Sequence, residues 1–140
     1  YLATPLSLFG AIPNLVSVSN ISGDIYYTDT SYTSTLTSIV NATAYQLTFD
    51  RATIHSLSII GVPLAFPFTY TIPSGESWLP IVSVRSHDIE SDLFLNEDFL
   101  KINSITDLQT GTSYPGRLSN LQVGVGYIIK TTESFDITFR

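Results

Sequence analysis

Apolar residues in this chain alternate with hydroxyl-bearing ones or gather in short runs, and almost nowhere recur at the spacing of a helix. "LVSVS" (15–19), "YQLTF" (45–49), "SLSII" (56–60), "IVSV" (81–84), "GYIIK" (126–130) and "FDITF" (135–139) each predict a β-strand. Prolines and glycines punctuate them in "AIPN", "ISGD", "TIPSGES" and "SYPGR", as turns require. One stretch, "DIESDLFLNEDFL" (88–100), has the spacing of a short helical turn or two. Its counterpart "TPLSLFGAIPNL" (4–15) is cut by Pro5, Gly10 and Pro13. The pattern therefore predicts an all-β fold.

The pattern also occurs twice. Sliding the chain by 82 positions lays Thr30, Ser31, Tyr32, Leu36 and Tyr45 on Thr112, Ser113, Tyr114, Leu118 and Tyr127. Ile39 then falls on Leu121 and Leu47 on Ile129, so apolar sites stay apolar. With small slips Leu8-Phe9 answers Leu93-Phe94, Val16-Ser17-Val18 answers Leu100-Lys101-Ile102, and Leu57-Ser58-Ile59 answers Phe135-Asp136-Ile137. A β unit of four or five strands has an apolar face it cannot cover alone, and a second copy covers it. The expectation is two homologous β-rich repeats, 1–61 and 78–140, joined by a connector at 62–77. They would pack as one pseudo-twofold, sandwich-like domain. The first repeat lacks the strand led by Trp78 in the second, which predicts an open sheet edge able to accept a strand from a neighbouring chain.

Composition narrows the function classes. Of 140 residues 44% are hydrophobic and only 13% charged, which argues against disorder. A net charge of −6 leaves little to neutralise a row of phosphates, so nucleic acid is not an expected partner, and neither is an anionic membrane surface. No apolar run is long enough for a membrane helix, so membrane insertion is not expected. Cysteine is absent, which excludes disulfides and thiolate metal sites. An acidic, Lys-poor, Ser/Thr-rich β chain leans towards an extracellular, cell-surface or virion location.

The segments "SGESWLPIVSV", "DLF", "TSYPGRLSNLQVGVGYIIK" and "FDIT" carry a resemblance. Ser77-Trp78-Leu79-Pro80-Ile81-Val82-Ser83 stands where a Gly-Trp-Asn-Leu-Ile-Ser strand is expected, and Gly124-Val125-Gly126-Tyr127-Ile128-Ile129-Lys130 keeps a Gly-x-Gly-Tyr-x-x-Lys core. The second unit thus resembles a β repeat of secreted Bacteroidetes surface proteins and marine phage structural proteins. The resemblance implies a non-catalytic module near the end of a large surface or fibre protein, and it implies no catalytic residues.

Two constellations remain as candidate sites. Tyr26, Tyr27 and Tyr32 flank Asp24 and Asp29 in "SGDIYYTDTSY", a loop able to stack rings on a sugar and bond its hydroxyls, with Tyr114 in the second unit as a poorer equivalent. Tyr26 and Tyr27 are adjacent and so face opposite sides of a strand. The acidic stretch 87–98 offers Asp88, Glu90, Asp92, Glu97 and Asp98 as oxygen ligands for calcium, the one candidate cofactor. Its D-x-E-x-D run lacks the sixth-position Gly and twelfth-position Glu of an EF-hand loop, and a solvated acidic loop is the plainer account. His55 and His87 have no second histidine nearby for zinc. No G-x-S-x-G or phosphate-cradling glycine loop occurs, and the triplets at Asn20 and Asn41 match the glycosylation sequon only as a Ser/Thr-rich chain does by chance. No enzyme is expected. The expected role is a structural or assembly module that binds copies of itself or its parent assembly, with carbohydrate binding, calcium-assisted or not, as the alternative.

Overall fold

A computed structural model describes residues 3–40, 43–51 and 65–140, and the chain divides into two units, Tyr1–Pro63 and Leu64–Arg140. Among the described residues strands dominate both, with three short helical turns, so the chain is all-β.

The first unit opens with α1 (Pro5–Phe9). Thr4 caps it by accepting the Ser7 N–H on Oγ1 at 3.2 Å, and Pro5 starts it where no N–H is needed. Strands β1 (Leu15–Ser19), β2 (Ile25–Tyr27) and β3 (Gln46–Phe49) form an antiparallel sheet in the order β2-β1-β3. Leu15 and Val18 are the buried residues of β1, three apart where simple alternation allows two or four. A bulge between Leu15 and Ser17 accounts for this: Leu15 pairs with Phe49 but Ser17 already with Thr48. Among the described residues Phe9, Leu15, Val18 and Leu36 form a buried cluster.

The second unit holds β4 (Phe68–Ile72), β5 (Gly75–Leu79), β6 (His87–Asp88), a π-turn (Ile89–Leu93), a 3₁₀ turn (Asp98–Leu100), β7 (Ile102–Asp107), β8 (Ser113–Tyr114), β9 (Asn120–Leu121), β10 (Tyr127–Thr131) and β11 (Phe135–Phe139). The main sheet runs β5-β10-β7-β8, and two antiparallel pairs, β11-β4 and β6-β9, complete the unit. Its core includes Ile72, Leu79, Ile89, Ile105, Leu121, Tyr127, Ile129 and Phe139, each no more than 1% exposed. β7 repeats the buried spacing of β1, at Ile102 and Ile105, and it too is bulged: Ile102 pairs with Thr131 and Ser104 with Lys130.

Three expectations change here. The 62–77 connector is, in its described part, β4 and most of β5, integral to the second unit. The Trp78-led strand stops at Leu79 rather than running through Val84, because Pro80 has no N–H with which to extend the ladder. In Val16–Val18 and Leu100–Ile102 the ladders start out of step: β1 begins at Leu15 and β7 at Ile102, so Leu100 and Lys101 precede the strand. The proposed match at 57–59, His55, and Asn41-Ala42 lie outside the described residues.

Candidate functional site

Adjacent Tyr26 and Tyr27 point to opposite faces of β2. Tyr26 packs against the first unit's core, opposite Val18 in the ladder. Tyr27 pairs with Ser17 and turns to the outer side, where its ring lies 5.2 Å from that of Tyr32 with the planes tilted by 33°. The two rings border an open cleft of about 540 Å³ that also takes in Asn14, Asp29 and Asp50.

The loop carrying Asp29 and Tyr32 is braced by its own sequence. Thr28 Oγ1 donates to the Leu15 carbonyl at 2.6 Å, fastening the loop's start to β1. Asp29 Oδ1 accepts the Ser31 N–H at 2.9 Å and the Ser31 hydroxyl at 2.8 Å, an Asx-type turn. These bonds, the backbone one first, hold the Asp29 carboxyl below its usual range, so it is ionised at neutral pH. The Tyr32 N–H bonds the Asp29 carbonyl at 3.2 Å, and Ser34 Oγ accepts the Tyr27 N–H at 2.9 Å. Sequence reasoning missed Asn14 and Asp50. They are remote in the chain and meet only because Leu15 pairs with Phe49, with the Asp50 N–H bonded to the Asn14 carbonyl at 3.0 Å. Asn14 takes the left-handed backbone region (φ 61°), which no strand pattern reveals.

Tyr114 stands elsewhere, in the second unit. It pairs with Ile105 on β8, packs against that unit's core and lies 5.8 Å from the Phe99 ring. It is a half-buried wall of the core, and its one aromatic neighbour among the described residues is Phe99.

The five acidic candidates do not converge on a point; Asp88, Asp92 and Asp98 are each occupied locally. Asp88 caps the π-turn, accepting the Glu90 and Ser91 N–H groups at 3.0 and 2.9 Å and the Ser91 hydroxyl at 2.8 Å. The Ser91 hydroxyl and N–H hold its carboxyl below the usual range. Asp98 is buried, accepts the Leu95 N–H at 2.9 Å and has Lys101 at 3.6 Å. Glu90 and Glu97 point into solvent. No group of three or more His, Asp or Glu side chains placed to share a metal ion occurs among the described residues.

Asp92 belongs to a different array. Arg85 grips both of its oxygens at 3.0 Å, and His87 Nδ1 lies 2.8 Å from Oδ2. Burial pushes this carboxyl up, but Arg85 and His87 outweigh it and hold it below its usual range. With Asp92 ionised, Nδ1 is the nitrogen that carries the proton. The imidazole is only 2% exposed and edges onto Phe139 at 5.7 Å; its Nε2 is closed to solvent with no partner among the described residues. Asn20, of the first sequon, is tied to Asp24 through its amide nitrogen (3.0 Å) and oxygen (2.9 Å).

No helix among the described residues is long and apolar enough to cross a membrane. No family model, curated protein or solved structure matches this chain.

Proposed function

We propose that the chain is a non-catalytic structural module, two copies of one β unit, that serves as a building block of a larger extracellular or virion-surface assembly. The observation that carries this reading is a recurring tyrosine latch. Tyr45 accepts the Val40 N–H on its phenolic oxygen at 2.9 Å, and Tyr127 accepts the Gln122 N–H at 2.8 Å, each reaching back five residues. Around each latch the ladder is alike. Tyr26, Val18 and Leu47 lie side by side across one sheet, as Tyr114, Ile105 and Ile129 do across the other. The bulge falls at the same step in both. Leu36 and Leu118 are buried and give their N–H groups to the carbonyls of Ile25 and Ser113. A side-chain cap at Thr4 opens the helical turn of one unit, and one at Asp88 that of the other. A chain that builds one unit twice is suited to tiling. The second unit's resemblance to surface-protein and phage repeats favours the same role. Partners are then further copies or neighbouring modules, met through sheet edges.

Light-scattering mass over a concentration series is the test. Reversible growth in mass with concentration, unaffected by calcium, is the expected result. A monomer at every concentration that also fails to bind its flanking chain would overturn the proposal.

A further inference from the structure

The loop after β2 sets the two units apart. Leu36 comes eleven positions after Ile25, to whose carbonyl it is bonded, whereas Leu118 comes five after Ser113 in the corresponding bond. The first unit thus carries a longer excursion at this point, and that excursion brings Asp29 and Tyr32 to the cleft beside Tyr27. Matching the loops rests on reading the units as copies; the cleft stands without it. We infer that the cleft bounded by Tyr27, Tyr32, Asn14, Asp29 and Asp50 is a binding site for a neutral pyranose sugar, a function in addition to assembly.

The chemistry of the lining selects the ligand. Tyr32 is 61% exposed, and its ring and that of Tyr27 lie near enough to make one apolar platform, suited to the C–H face of a pyranose. Around the platform stand acceptors in excess. Asp29 uses one oxygen on Ser31 and keeps Oδ2 free, and among the described residues the side chains of Asn14 and Asp50 form no hydrogen bond or ion pair. Such a site asks for donors, and adjacent hydroxyls supply them while the ring supplies the apolar face. Among the described residues no Lys, Arg or His borders the cleft, so uronic acids and sulfated sugars would meet two carboxylates there and no counter-charge. An organic ammonium is the rival ligand. It prefers aromatic walls around it, whereas these rings lie against one another, and exposed carboxylates attract a single charge weakly through screening solvent. The bracing of residues 28–34 pre-sets the site, which lowers the ordering cost of binding.

The test is a ¹⁵N NMR titration of the whole chain with methyl glycosides of glucose, galactose and mannose, with methyl glucuronide, and with choline. The expected result is saturable, millimolar-range shifts confined to residues 14–16, 27–32 and 50 with at least one neutral glycoside, and none with the glucuronide. Tyr32→Ala weakens that binding about tenfold or more, Asp29→Asn weakens it less, and Tyr32→Phe retains it. Because Tyr32 is exposed, these variants are expected to keep the wild-type amide spectrum outside the loop. Absence of saturable shifts with every neutral glycoside would overturn the inference, as would binding that survives Tyr32→Ala. Equal binding of glucuronide would overturn the charge argument, and shifts with choline alone would assign the cleft to organic cations. Each outcome is independent of the light-scattering result.

Discussion

The two units, among the described residues, pair their central strands at matching positions. Among the described residues the first unit buries Phe9, Leu15, Val18 and Leu36. The second buries fourteen apolar residues, from Ile72 to Phe139. Yet β1 and β7 share their buried positions and their bulge, and both units latch a tyrosine hydroxyl onto a backbone N–H five residues back. Local backbone devices therefore set the register in both. The candidate polar chemistry differs too: in the first unit it lines an open cleft, in the second it gathers around the buried imidazole of His87.

The hardest test of this contrast is a pair of matched cavities. Val18 and Ile105 hold the same ladder position and neither is exposed. Ile105→Ala is expected to cost about 2–5 kcal/mol, with the cavity left in a close-packed core adding to the lost transfer energy. Val18→Ala removes one carbon fewer and is expected to cost about 1.5–3 kcal/mol. Urea unfolding with hydrogen exchange read separately on β1–β3 and β7–β10 gives both values. Equal costs would mean that Val18 sits in packing at least as tight as that around Ile105.

The buried histidine comes next. His87 pairs with Leu121 in the second unit, while the bridge to Ile39 in the first is made by Ala3. If an apolar residue suffices there, His87→Leu should be close to neutral, because Arg85 and Asp92 keep each other. Asp92→Ala should cost about 1–3 kcal/mol, since it strands the His87 Nδ1–H in a buried site. The pH dependence has a definite sign. The Asp92 carboxyl is held below its ordinary 3.8, so its stabilisation is complete above that value and is lost as pH falls through the lower folded one. Thermal melts from neutral to strongly acid pH should show this loss in the wild type, and less of it in Asp92→Ala.

Much of this was legible in the sequence, and the exceptions have physical reasons. "LVSVS", "QLTF", "YIIKT" and "FDITF" are strands because their β-branched and aromatic residues suit a half-buried pleated surface. Phe9 and Phe94, matched in the repeat reading, are both buried, and a π-turn precedes the second where an α-helical turn precedes the first. The letters Thr-Ser-Tyr misled. At 30–32 they sit in a loop and at 112–114 they run into β8, so it is Tyr26, not Tyr32, that shares a ladder position with Tyr114. A longer loop slides the letters without moving the ladder. In the candidate site, Tyr27, Asp29 and Tyr32 were visible as a cluster because they are neighbours in sequence. Asn14 and Asp50 were not, because pairing brings them in. The acidic stretch looked like a ligand set because spacing does not reveal that Asp88, Asp92 and Asp98 already have local donors and that Glu90 and Glu97 point away into solvent.

The latches themselves test the likeness more finely. Tyr127 is 1% exposed and holds the Gln122 N–H in partly buried surroundings, and burial raises its hydroxyl's pKa. Tyr127→Phe is expected to cost about 1–2 kcal/mol. Tyr45 makes its bond at a more exposed position, where water can replace the lost oxygen, so Tyr45→Phe should cost about 0.5 kcal/mol. Faster exchange at the Gln122 and Val40 amides, each only in its own variant, would identify the latch as the cause.

The smallest effect lies on the sheet surface. Lys130 and Glu76 face each other across β10 and β5 at 2.8 Å, and Thr48, beside the same bulge in the first unit, has no such partner across β3 among the described residues. Both charged side chains are more than half exposed, so solvent and salt screen the pair. A double-mutant cycle with Glu76→Ala and Lys130→Ala is expected to give a coupling of about 0.2–0.5 kcal/mol at low salt that fades as salt is added. If the coupling were several times larger and insensitive to salt, the pair would be setting the β5–β10 register. The second sheet would then owe its alignment to charge as well as to the bulge and latch it shares with the first.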